Sequence, residues 1–382
     1  RLRCDWSSDV CSSDLQGKPS ESRTVLASFA KVFPKSTLLP ESQLAIARTH
    51  VMDGSWVSSI IEYDRWVTNY PAHPALPQAE FDRAWLNHQA GNRARAFQLF
   101  TNYVVRFPTN SLAPVAQKWI ADHQFQSGKF AEAEQGYRRL FENTNLLANA
   151  RGMEWEARLN AGRSAFFRQE HAAAGLLLAS VINATNAPVA EQARAEFYLG
   201  DVAADQTQRT PTNLLDALPH YQRVADEMTG SPLHSLAWGR IGDCYLQLGK
   251  LGPAAAAYRA VTELPGTDVT TRSQAGLGLA RVLEEQAALA GETEEREELL
   301  QQSLYQCMEI VFGGNLRSAS EKMDPFWVKE AGLMAGHLAG RLGRAEQERR
   351  VYSRLAKELP DMPLWQAKLD ALQAAPEAPK AP

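Results

Sequence analysis

One glycine-centred frame recurs along this chain and constrains its fold more than any other feature. Gly54, Gly91 and Gly128 stand 37 residues apart. A small residue precedes each at a fixed distance (Ala47, Ala84, Ala121), and an aromatic residue follows each (Tyr63, Phe100, Tyr137). The stretch HSLAWGRIGDCYLQLGKLGPAAAAYRAVTELPG (234–266) repeats the frame with Gly242, Gly249, Tyr258 and Pro265. Self-similarity at this spacing predicts a stack of small units, each covering its neighbour's apolar face. A domain count estimated from length assumes compact domains, so it does not apply here.

Looser copies carry the frame through most of the chain. They are 157–188 (Gly162, Ala174, Leu178), 195–224 (Gly200, Ala217, Tyr221), 275–312 (Ala280, Tyr305) and 331–360 (Gly336, Gly343, Tyr352, Pro360). Within each copy apolar and small residues recur at steps of three and four, as in Ala237, Ile241, Tyr245 and Leu248, then Ala254, Tyr258 and Val261. That period predicts two amphipathic helices and excludes strand alternation. Gly at 54, 91, 128, 249 and 343 falls just past the first helix, where a left-handed backbone suits a residue without Cβ. Pro at 71, 108, 265 and 360 closes the second helix, because it lacks the amide donor. The small column lets the second helix approach the first. The aromatic column (Tyr63, Phe100, Tyr137, Tyr221, Tyr258, Tyr305, Tyr352) is expected to fill the gap to the next unit, at about 2–3 kcal/mol per buried ring.

The order small–aromatic–Gly–Ala–aromatic–Pro resembles the tetratricopeptide repeat (TPR), best at 237–265 and 116–141, and the resemblance covers almost all of residues 24–360. It implies an all-α fold, a right-handed α-solenoid of about eight helix-turn-helix repeats. Within a solenoid spanning 16–362, the expected repeats are a half-repeat at 22–34, then 41–71, 78–108, 113–145, 154–188, 190–228, 234–265, 271–313 and 325–360. Those at 154–188, 190–228 and 271–313 lack the inter-helix Gly or carry insertions such as AGETEEREE. Residues 22–34 align with a second helix alone, so that helix is expected to pack poorly or fray. Residues 363–375 are expected to form a capping helix and 376–382, rich in Pro and Ala, a disordered tail. Residues 1–15 show neither period nor the apolar run of a signal peptide. Residues 4–15 (CDWSSDVCSSDL) resemble translated sequencing adapter, and the segment is set aside as unstructured.

Without residues 1–15 the net charge moves from −4 to −3, through loss of Arg1, Arg3, Asp5, Asp9 and Asp14, and the cysteines left are Cys244 and Cys307. Such a chain has no electrostatic footprint for nucleic acid, and no apolar run is long enough to span a bilayer. The eight His are scattered without HExxH or a Cys–His cluster, so no metal or other cofactor is expected. GLGLA (276–280) belongs to the repeat frame and is no phosphate cradle. No GxSxG elbow occurs, and the acidic run 292–298 reads as a solvated edge. Nothing in the sequence marks an enzyme.

In a TPR solenoid the exposed face of the first helices is the usual peptide-binding surface, and the register locates it. One column reads Arg48, Trp85, Asp122, Arg163, Asp201, Asp243, Arg281 and His337. Seven of these are charged or His, which core packing does not explain. One turn later come His88, Phe125 and Phe166, and Trp119 lies beside them. Aromatic and Arg anchors are the composition of interaction hot spots. The Lys/Asn clamp with which some TPR domains hold acidic C-terminal tails is not reproduced, since Asn is missing from the charged column. The expected function is a non-catalytic scaffold for a protein or peptide partner. The NYP and RFP repeat ends resemble the TPR modules of bacterial outer-membrane assembly lipoproteins and of the Tol–Pal-associated coordinator. That resemblance implies a periplasmic or outer-membrane-associated place in the cell envelope and is compatible with a lipid anchor upstream of the repeats. A cytoplasmic adaptor, or the helical arm of a larger enzyme, stays open on the residues alone.

Overall fold

The structure, a computed structural model, describes residues 18–143, 146, 148–150, 152–205, 211–291 and 294–374. The adapter-like segment and the Pro/Ala tail at 376–382 lie outside them. Eighteen helices and no strand occur among the described residues. The chain divides after Val181 into two compact units.

The N-terminal unit begins with α1 (Pro19–Val32) and continues as hairpins: α2 (Leu39–Met52) with α3 (Trp56–Asn69), α4 (Leu76–Gln89) with α5 (Arg93–Arg106), α6 (Ala113–Gln126) with α7 (Phe130–Glu142), and α8 (Glu154–Phe167) with α9 (His171–Ile182). The C-terminal unit pairs α10 (Val189–Ala204) with α11 (Pro211–Glu227), α12 (His234–Gln247) with α13 (Leu251–Glu263), α14 (Val269–Leu289) with α15 (Glu294–Phe312), and α16 (Pro325–Arg341) with α17 (Ala345–Glu358), and ends in α18 (Leu364–Ala374). Within each unit helices pack mainly on their neighbours in sequence, which is the α-solenoid arrangement: local contacts, repeated.

Among the described residues one hairpin turn recurs six times. Gly54, Gly91, Gly128, Gly249 and Gly343 adopt φ between 66° and 81°. In each turn the amide after the left-handed residue donates back to a carbonyl five residues earlier, as in Ser55 N to His50 O (2.9 Å) and Lys129 N to Gln124 O (2.9 Å). This bond satisfies a carbonyl that the helix end leaves orphaned. Between α8 and α9 the place belongs to Gln169, at φ 65°, and Glu170 N still reaches Ala165 O at 3.0 Å. A side chain there costs roughly 1–2 kcal/mol, part of which glycine returns as unfolded-chain entropy. Gln169→Gly is therefore expected to stabilise the α8–α9 hairpin by about 0.5–1 kcal/mol, read as a raised urea midpoint with unchanged slope.

Between hairpins the small and aromatic columns interlock. A Cβ on Gly242 would lie 2.6 Å from the Tyr258 ring, and one on Gly278 of the next hairpin 2.5 Å from the same ring. Tyr258 thus fills a slot bounded by two glycines, one on its own hairpin and one on its neighbour. Gly200 receives Tyr221, and Gly336 receives Tyr352, in the same way. Tyr63, Phe100, Tyr137, Tyr221, Tyr258 and Tyr352 are all buried.

Tyr305 departs from the expected column: it is 59% exposed. The register shows why. Ser59 donates to Ala47 O at 2.8 Å and stands four residues before Tyr63; Ser303 donates to Ala280 O at 2.7 Å and stands four before Cys307. Cys307, fully buried, occupies the aromatic place, and the insertion ahead of α15 has moved Tyr305 to the outer face. The first helix also corrects the expectation of fraying. Leu26 and Phe29 of α1 are buried, Arg23 pairs with Asp53 at 2.6 Å, and Ser42 donates to Leu26 O. At the other end Trp365 of α18 is buried in the last core cluster.

Candidate partner-binding site

The first-helix column divides into side chains bound to the scaffold and side chains that face solvent. Asp122 accepts from Tyr137 Oη at 2.6 Å, Asp201 from Tyr221 Oη at 2.7 Å and Asp243 from Tyr258 Oη at 2.7 Å. Each is the acceptor that a buried phenol needs. Packing therefore accounts for three of the charged positions that the column alone left unexplained. Where the column ring is Phe100, with no hydroxyl, the matching first-helix residue is Trp85. For Tyr63 the acceptor comes from the following hairpin, through Asp82 at 3.1 Å, and Arg48 lies beside the same hydroxyl.

In the C-terminal unit Arg240 of α12 donates to Asp201 at 3.1 Å and approaches Asp243 at 3.8 Å. Burial pushes the carboxyls of Asp201 and Asp243 above their ordinary value, with the Tyr hydrogen bonds and Arg240 pulling the other way. A carboxyl whose folded pKa is raised favours the folded state while protonated, so its contribution is lost as pH rises through that pKa. Wild type is accordingly expected to lose stability relative to Asp243→Asn as pH climbs from 3.8 upward, whereas a flat difference in urea midpoints would count against the burial of this group. Arg281 and His337 are exposed, and Arg281 acts on Asp243 from the next hairpin.

The N-terminal unit brings its aromatic candidates together. Trp85 is 40% exposed and meets His88 at 5.5 Å; His88 meets Trp119 of the next hairpin at 5.3 Å. Trp119 also packs on Phe100 at 4.6 Å, which roots the exposed rings in the core. A second group surrounds Phe125: Arg163 lies over its ring at 5.1 Å, Phe167 meets it edge-on at 5.5 Å, and Phe166 adjoins Phe167 and His171. Sequence reasoning missed His123, stacked on Trp119 at an interplanar angle of 3°, along with Asp82, Lys118 and Arg240. Each sits outside the charged column and the one a turn after it, although Asp82, Trp119 and Arg240 share one register position of their own.

The arrangement offers cation–π and stacking contacts, and no activated nucleophile stands among them. Burial pushes the thiols of Cys244 and Cys307 up to about 12, so neither ionises near neutrality. Among the described residues no three His, Cys, Asp or Glu groups gather as a metal site, and no helix is long and apolar enough to cross a membrane.

Residues 212–268, from α11 into the turn after α13, match the tetratricopeptide repeat family. No curated protein matches the chain. Among solved structures, the C-terminal part of a TPR repeat-containing protein from Cytophaga hutchinsonii is similar at 11% identity and a TM-score of 0.50, covering 76% of this chain and 99% of that one. A signal-transduction ATPase with numerous domains and a tetratricopeptide repeat sensor, from Pyrococcus horikoshii, aligns at 13% identity and a TM-score of 0.50, over 93% of this chain and 54% of that one. At such identities the likeness shows the fold alone. Each unit is a series of helical hairpins, the fold of those structures, and residues 212–268 are the part whose sequence matches the tetratricopeptide repeat family.

Proposed function

We propose that this protein is a non-catalytic scaffold that holds a partner protein segment against the first-helix face of its N-terminal unit. The observation that carries the reading is the exposed Trp85, which meets His88 edge to face, as His88 in turn meets Trp119. A large ring held rigid at the surface loses little conformational freedom on binding, and such rings dominate interface energetics. Arg163 over Phe125 offers a second anchor on the adjoining helices. The reading extends to the bacterial cell envelope through the resemblance of the early repeats to envelope TPR modules, and fractionation of the native host tests that location.

Both anchors are partly exposed, so they can be truncated without opening the core. Trp85→Ala and Arg163→Ala are each expected to weaken partner capture by about tenfold or more, in keeping with hot-spot losses of about 1–2 kcal/mol or above. A pull-down in which both variants retain the wild-type partner set would place the binding face elsewhere.

A further inference from the structure

The turns of two adjacent hairpins in the N-terminal unit each expose a cation: Arg93 opens α5, and Lys129 caps α7. Among the described residues neither side chain makes an ion pair or a hydrogen bond. Both act on His123 of α6, as does His88 of α4. No carboxylate is among the charges acting on that imidazole. Asp122, its neighbour on the same helix, is committed to Tyr137 and Lys118. His123 in turn lies flat on Trp119, and the Nδ1 of His88 is buried without a hydrogen-bond partner. This is a cationic patch with an aromatic floor and no counter-charge of its own.

We propose that this patch docks an acidic peptide segment, whose carboxylates meet Arg93 and Lys129 while an apolar side chain lies on Trp85. The inference rests on the partner-surface reading above and adds the partner's chemistry to it. Three other cations of this unit are paired with carboxylates: Lys118 with Asp122 and Glu156, Arg168 with Glu134, and Arg106 with Glu80. Arg93 and Lys129 stand apart from that pattern, and unpaired charge at a rim steers a partner of opposite sign. A nucleic acid fits less well, because tracking a phosphate backbone takes a basic groove and this chain is net acidic at −4.

A proton couples to the same event. Burial and the surrounding cations hold the His123 imidazole below its ordinary range, with His88 facing it from α4, Arg93 from α5 and Lys129 from the start of α7. Bound carboxylates oppose those cations and favour the imidazolium, so the segment binds more tightly as pH falls toward that range.

The test is fluorescence anisotropy on the full chain. The probes are a fluorescein-labelled peptide of alternating Glu and Phe, the same peptide with Lys for Glu, and an oligothymidylate of equal negative charge. The glutamate peptide is expected to bind, more tightly at about pH 5.5 than at about pH 7.5, and the lysine peptide not to. The paired substitution Arg93→Ala and Lys129→Ala, at exposed positions outside the core, is expected to weaken glutamate-peptide binding about tenfold. No binding of the glutamate peptide, equal binding of the lysine peptide, tighter binding of the oligothymidylate, or indifference to the paired substitution overturns the proposal. If Trp85→Ala weakens binding and the paired substitution does not, the partner face stands and its acidic specificity falls. If neither variant changes binding, both readings fall.

Discussion

Replacing Tyr258 with Ala is expected to destabilise the C-terminal unit by about 3–5 kcal/mol, the cost of removing a large ring from a core that cannot close over the gap. The ring is 1% exposed and lies against Gly242 and Gly278 on successive hairpins. One truncation therefore loosens packing within a repeat and between repeats together. It also strands Asp243, whose carboxylate accepts from Tyr258 Oη at 2.7 Å. In a stack of this kind stability is a sum of repeat and nearest-neighbour terms. Hydrogen exchange should accelerate most in α12, α13 and α14 and least in α1 to α5. Tyr258→Phe keeps the ring and removes the hydroxyl, and should cost about 1–3 kcal/mol. A variant Tyr258→Ala within 1 kcal/mol of wild type, a loss far below the about 3–5 kcal/mol of such truncations, would show that the glycine slot does not join the hairpins.

The N-terminal unit has its counterpart in Trp66. Its indole is 1% exposed, donates to Pro40 O at 2.6 Å and meets Tyr70 and His73 at 5.5 and 5.3 Å. Trp66→Ala is expected to cost about 3–5 kcal/mol, concentrated in α2, α3 and α4. Trp66→Phe recovers most of the apolar burial and leaves Pro40 O without its donor, so it should fall between wild type and Ala. Urea unfolding followed by exchange into α2 and α4 separates the three. Equal loss in Phe and Ala would assign the whole effect to the hydrogen bond.

The repeat frame was readable in the sequence because each of its parts has one physical job. Gly at the turn, a small residue under the second helix and Pro at its end are each forced by backbone or steric limits, so they survive as a visible pattern. Gln169 shows the margin of that pattern: the turn forms with the same backbone bond at a residue that tolerates the left-handed conformation only at a cost. Tyr305 shows where pattern matching fails. An insertion shifts the register by two positions, so the nearest aromatic, Tyr305, is exposed and Cys307 holds the buried place. Only the serine anchor four residues earlier, shared by Ser59 and Ser303, marks the true register.

The site was less legible than the scaffold, because a charged column has two physical causes. Asp122, Asp201 and Asp243 are charged to satisfy buried tyrosines. Trp85 is exposed where no hydroxyl needs an acceptor. The pairing itself was present in the sequence: Asp accompanies Tyr137, Tyr221 and Tyr258, and Trp accompanies Phe100. It becomes readable once the two columns are compared with each other. His123 and its facing cations could not be found that way, since they meet across hairpins through the packing of α4, α5, α6 and α7.

The most direct test of the account places a photocrosslinking amino acid, p-benzoylphenylalanine, either at position 85 on a first helix or at position 105 on a second helix. Trp85 is 40% exposed and Val105 78% exposed, so both sites accept the probe without disturbing the core. In the native host, irradiation is expected to give a discrete protein adduct from position 85, lost when Arg163→Ala is added, and none from position 105. Adducts from position 105 alone, or equally from both, would contradict the assignment of the first-helix face as the partner surface.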